Sequence, residues 1–187
     1  MKRIAIFASG GGSNALKFLE YYDEVDDIEV ALVVSNKRDA GVLVHARKFD
    51  VPTLCISKSY FHKKTCILKV LEAEQIDMIV LAGFLWLVPS YLTKAYPHQI
   101  VNIHPALLPK YGGKGMYGHH VHEAVKQAGE TESGMTIHYV NEKFDDGAHI
   151  FQAKCSIDNK DTALDIAAKV LQLEHKHYAE QVYLLLK

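Results

Sequence analysis

The chain has 187 residues, 49% of them apolar and 23% charged, enough to bury a core without a metal or disulfide and far from the composition of a disordered segment. Lysine plus arginine number 21 against 22 aspartates and glutamates, a formal charge of −1, which argues against a general nucleic-acid clamp. Three scattered cysteines with no CxxC pair, and no apolar run near the ~20 residues of a membrane span, predict a cytoplasmic protein without a disulfide framework, structural zinc or membrane partner. From the start of the chain, apolar runs alternate with helical patterns. Residues 3–8 (RIAIFA) form an apolar run ended by glycines, as expected of a buried parallel strand. Residues 14–22 read as a helix, with Ser13 or Asn14 placed to cap it. A second strand is predicted over 28–35, a helix over 40–49, a short third strand over 52–56 and a helix over 60–75. Residues 77–81 form the fourth strand and 99–104 the fifth. The stretch 105–117 holds Pro105, Pro109, Gly112, Gly113 and Gly115 and cannot be regular. A helix over 119–127, two alternating runs over 135–140 and 149–156, and a long helix over 163–185 complete the chain. Such alternation predicts one domain over 1–187: α/β, with a doubly wound, mostly parallel sheet, a late antiparallel strand pair and a long C-terminal helix.

Three clusters carry chemistry. Ser9-Gly10-Gly11-Gly12-Ser13-Asn14 lies between the first strand and the first helix, where free N–H groups and the helix dipole favour an anion. Gly10, Gly12 and Ala15 fit a dinucleotide fingerprint, but the second strand ends Val34-Ser35-Asn36-Lys37 without the acid that would grip a ribose. No G-x-x-x-x-G-K-[ST] segment occurs, so a lone phosphate group is favoured. Asn102 and His104 stand two apart at the end of the fifth strand and so point the same way, toward the place where doubly wound sheets bind ligands. An imidazole can exchange protons near neutral pH, and an amide can donate to an oxyanion. The turn Phe144-Asp145-Asp146-Gly147 offers a carboxylate that would orient His104 and raise its pKa. His119, His120 and His122 lack the cysteine or HExxH partner of a zinc centre, and no metal is expected. These residues leave two readings open: an enzyme, or a non-catalytic phosphate-binding module.

The segments Gly11-Gly12-Ser13-Asn14, Val80-Leu81-Ala82-Gly83-Phe84 and Asn102-Ile103-His104-Pro105-Ala106-Leu107-Leu108-Pro109-Lys110, the Asp145-Gly147 turn and Glu174-His175 occur in the same order as in glycinamide ribonucleotide formyltransferases of purine synthesis. The chain resembles that family over essentially its whole length. The resemblance implies a Rossmann-like formyltransferase fold, with a phosphate-binding half over about 1–100 and a catalytic and folate-binding half over about 77–187. It implies 10-formyltetrahydrofolate as co-substrate, no metal, small-molecule partners only, and compatibility with a homodimer. By this resemblance Asn102 stabilises the oxyanion and also meets the folate, His104 carries the proton, and Asp145 orients and charges His104. Gly12, Ser13 and Asn14 hold the substrate phosphate, and Glu174 the sugar or glycinamide part. Leu85, Trp86, Leu87 and Val88 line the pterin slot, with Lys64 on the folate side. A related transferase or hydrolase with another acceptor is the nearest alternative. Asp146 stands where other members carry glycine, so an unusual backbone is expected there.

Overall fold

The computed structural model describes the backbone of all 187 residues and the side chains of all except Lys64 and Thr65. Seven strands, β1 (Lys2–Ala8), β2 (Ile28–Ser35), β3 (Thr53–Cys55), β4 (Met78–Leu81), β5 (Ile100–His104), β6 (Glu132–Tyr139) and β7 (His149–Ser156), form one sheet in the order β3-β2-β1-β4-β5-β6-β7. The first five are parallel, and β6 and β7 each run antiparallel to the strand before. Strand order reverses between β1 and β4, which opens a crevice at their carboxyl ends.

The helices are α1 (Ser13–Tyr22), α2 (Gly41–Lys48), α3 (Lys58–His62), α4 (Lys64–Ala73), α5 (Ser90–Ala95), α6 (His119–Gln127) and α7 (Ala163–Leu186). Alternate residues of β1 feed two cores. Ile4, Ile6 and Ala8 pack with Phe18, Val42 and Tyr178 on one side, and Ala5 and Phe7 with Phe61, Leu71 and Leu92 on the other. With helices on both faces, residues 4–8 of β1 and all of β4 are apolar and buried throughout, and the period-2 pattern vanishes. A Thr162–Asp165 capping box starts α7. The buried Tyr178 hydroxyl, in contact with the Leu81 and Val101 carbonyls at 3.0 and 3.3 Å, pins α7 to the ends of β4 and β5. Among the described residues no helix is long and apolar enough to cross a membrane.

Three elements differ from the sequence expectation. The helix expected over 60–75 is two helices. Ser57 caps α3 by accepting the Tyr60 N–H at 3.2 Å, and Lys63 is extended before α4 begins. The short α5 went unpredicted, because six residues with one fully buried side chain, Leu92, show no periodicity. Strand β6 begins at Glu132 rather than 135. Gly134 disguises it, yet only glycine fits there, since a Cβ would lie 2.0 Å from the Ala153 carbonyl oxygen.

Candidate active site

A cleft of about 710 Å³ opens at the carboxyl ends of β4 and β5. Asn14, Leu85, Trp86, Leu87, Val88, Asn102, His104, Asp145 and Glu174 all contribute to its walls. Asn102 and His104, two apart on β5, reach it from the same side.

His104 is 3% exposed. Its Nε2–H donates to the Tyr111 carbonyl at 2.7 Å, which leaves Nδ1, 3.5 Å from Asp145 Oδ2, as the nitrogen free to exchange a proton. The carboxylate was expected to raise the imidazole pKa. The structure reverses the net direction: burial pushes it below the ordinary value, and the upward pulls of Asp145 and the Tyr111 carbonyl do not compensate. For Asp145, burial raises the pKa, but the rings of His138 and His104 and the Gly113 N–H outweigh it and hold the carboxyl below the usual range. That N–H donates to Asp145 Oδ2 at 2.9 Å. The unusual backbone expected at Asp146 falls instead at Asp145, whose φ is 53°. This left-handed turn aims Asp145 inward and leaves Asp146 exposed.

Sequence reasoning missed His138. It lies opposite Asn102 in the β5–β6 register. Its Nδ1–H donates to the Tyr139 carbonyl at 2.9 Å, so the neutral ring's Nε2 accepts from Asn102 Nδ2 at 3.1 Å. One amide hydrogen of Asn102 is thereby fixed and the other remains for the cleft. The same Nε2 lies 3.6 Å from Asp145 Oδ1. Only the cross-strand register reveals this partner. Of the helix-start histidines, His120 and His122 were the two candidates to face the cleft, and the structure selects His122. It is buried on the cleft wall with Nδ1 unpartnered, whereas His119 and His120 are exposed.

On the opposite wall Glu174, 7% exposed, accepts from Asn14 Nδ2 at 2.7 Å. Burial pushes its carboxyl up, against the pull of that hydrogen bond. The folded state therefore favours the protonated acid, and Glu174 weakens the fold as pH rises through its native pKa. Glu174→Gln is expected to raise the Tm of the ligand-free protein at pH 8 by roughly 2–4 °C, as read by calorimetry; an unchanged or lower Tm would contradict this account.

Gly12, φ 81°, occupies the α1 N-cap, and no side chain caps the helix. Ser13 is thus the first helical residue, and neither it nor Asn14 caps as expected, because the chain must bend sharply here. A Cβ on Gly12 would lie 2.6 Å from Val42 Cβ. The first N–H groups of α1 consequently lack a side-chain partner. Asn14 lines the cleft, whereas Gly12 and Ser13, which precede it in the chain, are not among the lining residues. The Ser9 hydroxyl accepts the Leu85 N–H at 3.0 Å and so ties this loop to the bend after Phe84. Along that bend Leu85 and Leu87 are 45% and 41% exposed, Val88 is buried, and Trp86 leans on Phe61 and Phe84. Lys64 lies outside the residues whose side chains are described.

The formyl transferase family model matches residues 2–182. The chain is 42% identical to the chloroplastic phosphoribosylglycinamide formyltransferase of Arabidopsis thaliana over 97% of its own length and 64% of that protein's. It is 37% identical to phosphoribosylglycinamide formyltransferase of Bacillus subtilis, covering 100% of this chain and 95% of that one. It spans only 60% of the Vigna unguiculata relative. Glycinamide ribonucleotide transformylase 1 of Geobacillus kaustophilus superposes over 100% of both chains with a TM-score of 0.91 and 36% identity. A matching cleft-bearing sheet, a family model covering nearly every residue and bacterial relatives aligned from end to end lead to one conclusion: this chain belongs to the formyl transferase family.

Proposed function

We propose that the chain transfers the formyl group of 10-formyltetrahydrofolate to the amine of N1-(5-phospho-D-ribosyl)glycinamide, a step of de novo purine biosynthesis. The observation that carries this reading is the convergence of an amide, Asn102, and a buried imidazole–carboxylate pair, His104 and Asp145, on one cleft. A phosphate-binding module would have no use for such a pair. The names of the relatives support the choice of acceptor.

The acceptor amine attacks the formyl carbon and the carbonyl oxygen takes on negative charge. The free N–H of Asn102 donates to it; a donor of this kind is worth about 10²–10³ in rate. His104 starts neutral, because burial disfavours its charge. Its Nδ1 takes the proton shed by the attacking nitrogen. The imidazolium so formed faces Asp145 and passes the proton to the departing folate nitrogen, and transfer of this kind contributes about 10²–10⁴. The substrate phosphate lies on Gly12, Ser13 and Asn14, whose backbone N–H groups and dipole suit it. Glu174 meets the sugar or glycinamide part. The folate lies against Leu85, Trp86, Leu87 and Val88, next to Asn102. The phosphate thus belongs to the N-terminal half of the chain and the chemistry to the C-terminal half. Three free thiols suit a reducing compartment such as the cytoplasm.

The test is a formyl-transfer assay over a panel of amines that includes glycinamide ribonucleotide. Preference for that amine supports the reading, and turnover only with another amine, with water or with none overturns it. Within it, Ser13→Ala is expected to raise the KM for the phosphorylated substrate several-fold while leaving the folate KM within about twofold. Asn14→Ala should do more, since it also strips Glu174 of its partner. Equal losses for both substrates would remove the phosphate from this loop.

A further inference from the structure

We propose that Glu130 is a positioning residue of the transfer reaction: by gripping the Tyr111 hydroxyl it holds the turn whose backbone carbonyl orients His104. The proposal rests on the function argued above. Tyr111 is a non-glycine residue with φ 57°, a left-handed conformation that costs roughly 1–2 kcal/mol for an L-residue and persists only where the surroundings enforce it.

The enforcing contacts lie on both sides of the turn. Behind it, the Tyr111 hydroxyl donates to Glu130 Oε1 at 2.8 Å, and Lys110 Nζ donates to the same oxygen at 2.8 Å. In front of it, the Tyr111 carbonyl accepts from His104 Nε2 at 2.7 Å, and two residues on the Gly113 N–H donates to Asp145 Oδ2 at 2.9 Å. Between them Gly112 passes so close to Leu108 that a Cβ would lie 2.5 Å from its Cδ2. Four consecutive residues therefore join an acidic anchor to both members of the His104–Asp145 pair.

Glu130 itself does not reach the reaction. It lines a separate cavity of about 320 Å³ behind the turn, together with Lys110, Tyr111 and Val125, and is absent from the walls of the catalytic cleft. Its backbone N–H donates to the Val125 carbonyl of α6, so the anchor is seated on a helix. The Lys110 ammonium is 68% exposed, and an exposed ion pair is worth little; the phenol–carboxylate bond is the contact that matters. The groups facing His104 are Asp145, the Tyr111 carbonyl, His138 and His122. The Tyr111 carbonyl is the one whose position depends on Glu130.

The test compares Glu130→Ala, Tyr111→Phe, the double variant, Glu130→Gln and Lys110→Met. The first two are expected to lower kcat about tenfold, as loss of alignment at a proton carrier does, with both KM values within about twofold. The carbonyl favours the protonated ring, so its displacement lowers the His104 pKa. The neutral base then survives to lower pH, and the acid limb of the kcat profile moves down. The double variant should be no worse than either single one, because both break the same bond. Glu130→Gln keeps an oxygen for the phenol and should retain kcat within about twofold, as should Lys110→Met. NMR titration of His104 in each folded variant reads the same shift without any turnover. If the parent protein fails to formylate the amine but the titration still moves, the proposed function falls and the positioning role stands. An unmoved His104 titration in Tyr111→Phe, which deletes a single hydroxyl, or unchanged kcat in Glu130→Ala, overturns the role of Glu130.

Discussion

Replacing His104 by alanine is expected to lower kcat by about 10²–10⁴ and kcat/KM in proportion, because a proton carrier acts in the transition state more than in substrate binding. Asn102→Ala should lose about 10²–10³ by the oxyanion argument. The two variants differ in what they leave behind. Asn102→Ala strips the buried His138 Nε2 of its 3.1 Å partner, and an orphaned buried polar atom costs about 1–3 kcal/mol. Its stability should drop measurably, so turnover must be read well below its Tm. Titration with each substrate separates binding from chemistry. Near-normal turnover by either folded variant would remove that residue from the reaction.

The second large effect is expected at Asp145. Asp145→Asn preserves shape, and asparagine tolerates the left-handed backbone that Asp145 adopts. An amide oxygen can still accept the Gly113 N–H, so the change is confined to charge. Without that charge the imidazolium formed during transfer loses its counterion, and kcat should fall about 10²-fold or more. Because Asp145 pulls the His104 pKa upward, its neutralisation lowers that pKa, and the acid limb of the kcat profile moves to lower pH. Asp146 is exposed, and among the described residues its side-chain polar partners are Asn141 and Lys143, so Asp146→Asn should stay within about twofold. A pH–rate comparison of the two decides it, and equal losses would mean that the turn delivers no particular carboxylate to His104.

The contrast between these neighbours also marks how far the sequence could be read. A tight Asp-Asp-Gly turn cannot aim two consecutive side chains the same way, and the family resemblance favours Asp145; the unusual backbone, by contrast, was expected one residue later and falls at Asp145. The buried stretches of β1 and β4 were legible because helices cover both faces and make them continuously apolar. Asn102 and His104 were legible because a strand's period is fixed at two. His138 was hidden, because its importance depends on which residue of β6 lies opposite Asn102, and a lone sequence contains no register. The Tyr111 carbonyl was hidden more deeply, since a backbone atom that orients the His104 ring carries no side-chain signature. The break between α3 and α4 hangs on one extended residue, Lys63, within an otherwise helical spacing. The upward pull expected of Asp145 on His104 is present but outweighed by burial, because a sequence supplies the charged neighbour but not the extent of burial.

The Asn14–Glu174 bond joins the first helix to the last across 160 positions of sequence, and it is braced by Tyr22 donating to the Ala179 carbonyl and by Phe18 edge-on to Tyr178. On the ribosome, α7 emerges after every other element. A nascent chain that already carries Asn102, His104 and Asp145 still lacks the cleft wall of Ala167, Val170, Leu171 and Glu174, and with it the partner of Asn14. The Asn14–Glu174 side of the cleft therefore forms only once α7 has been made and has packed on α1.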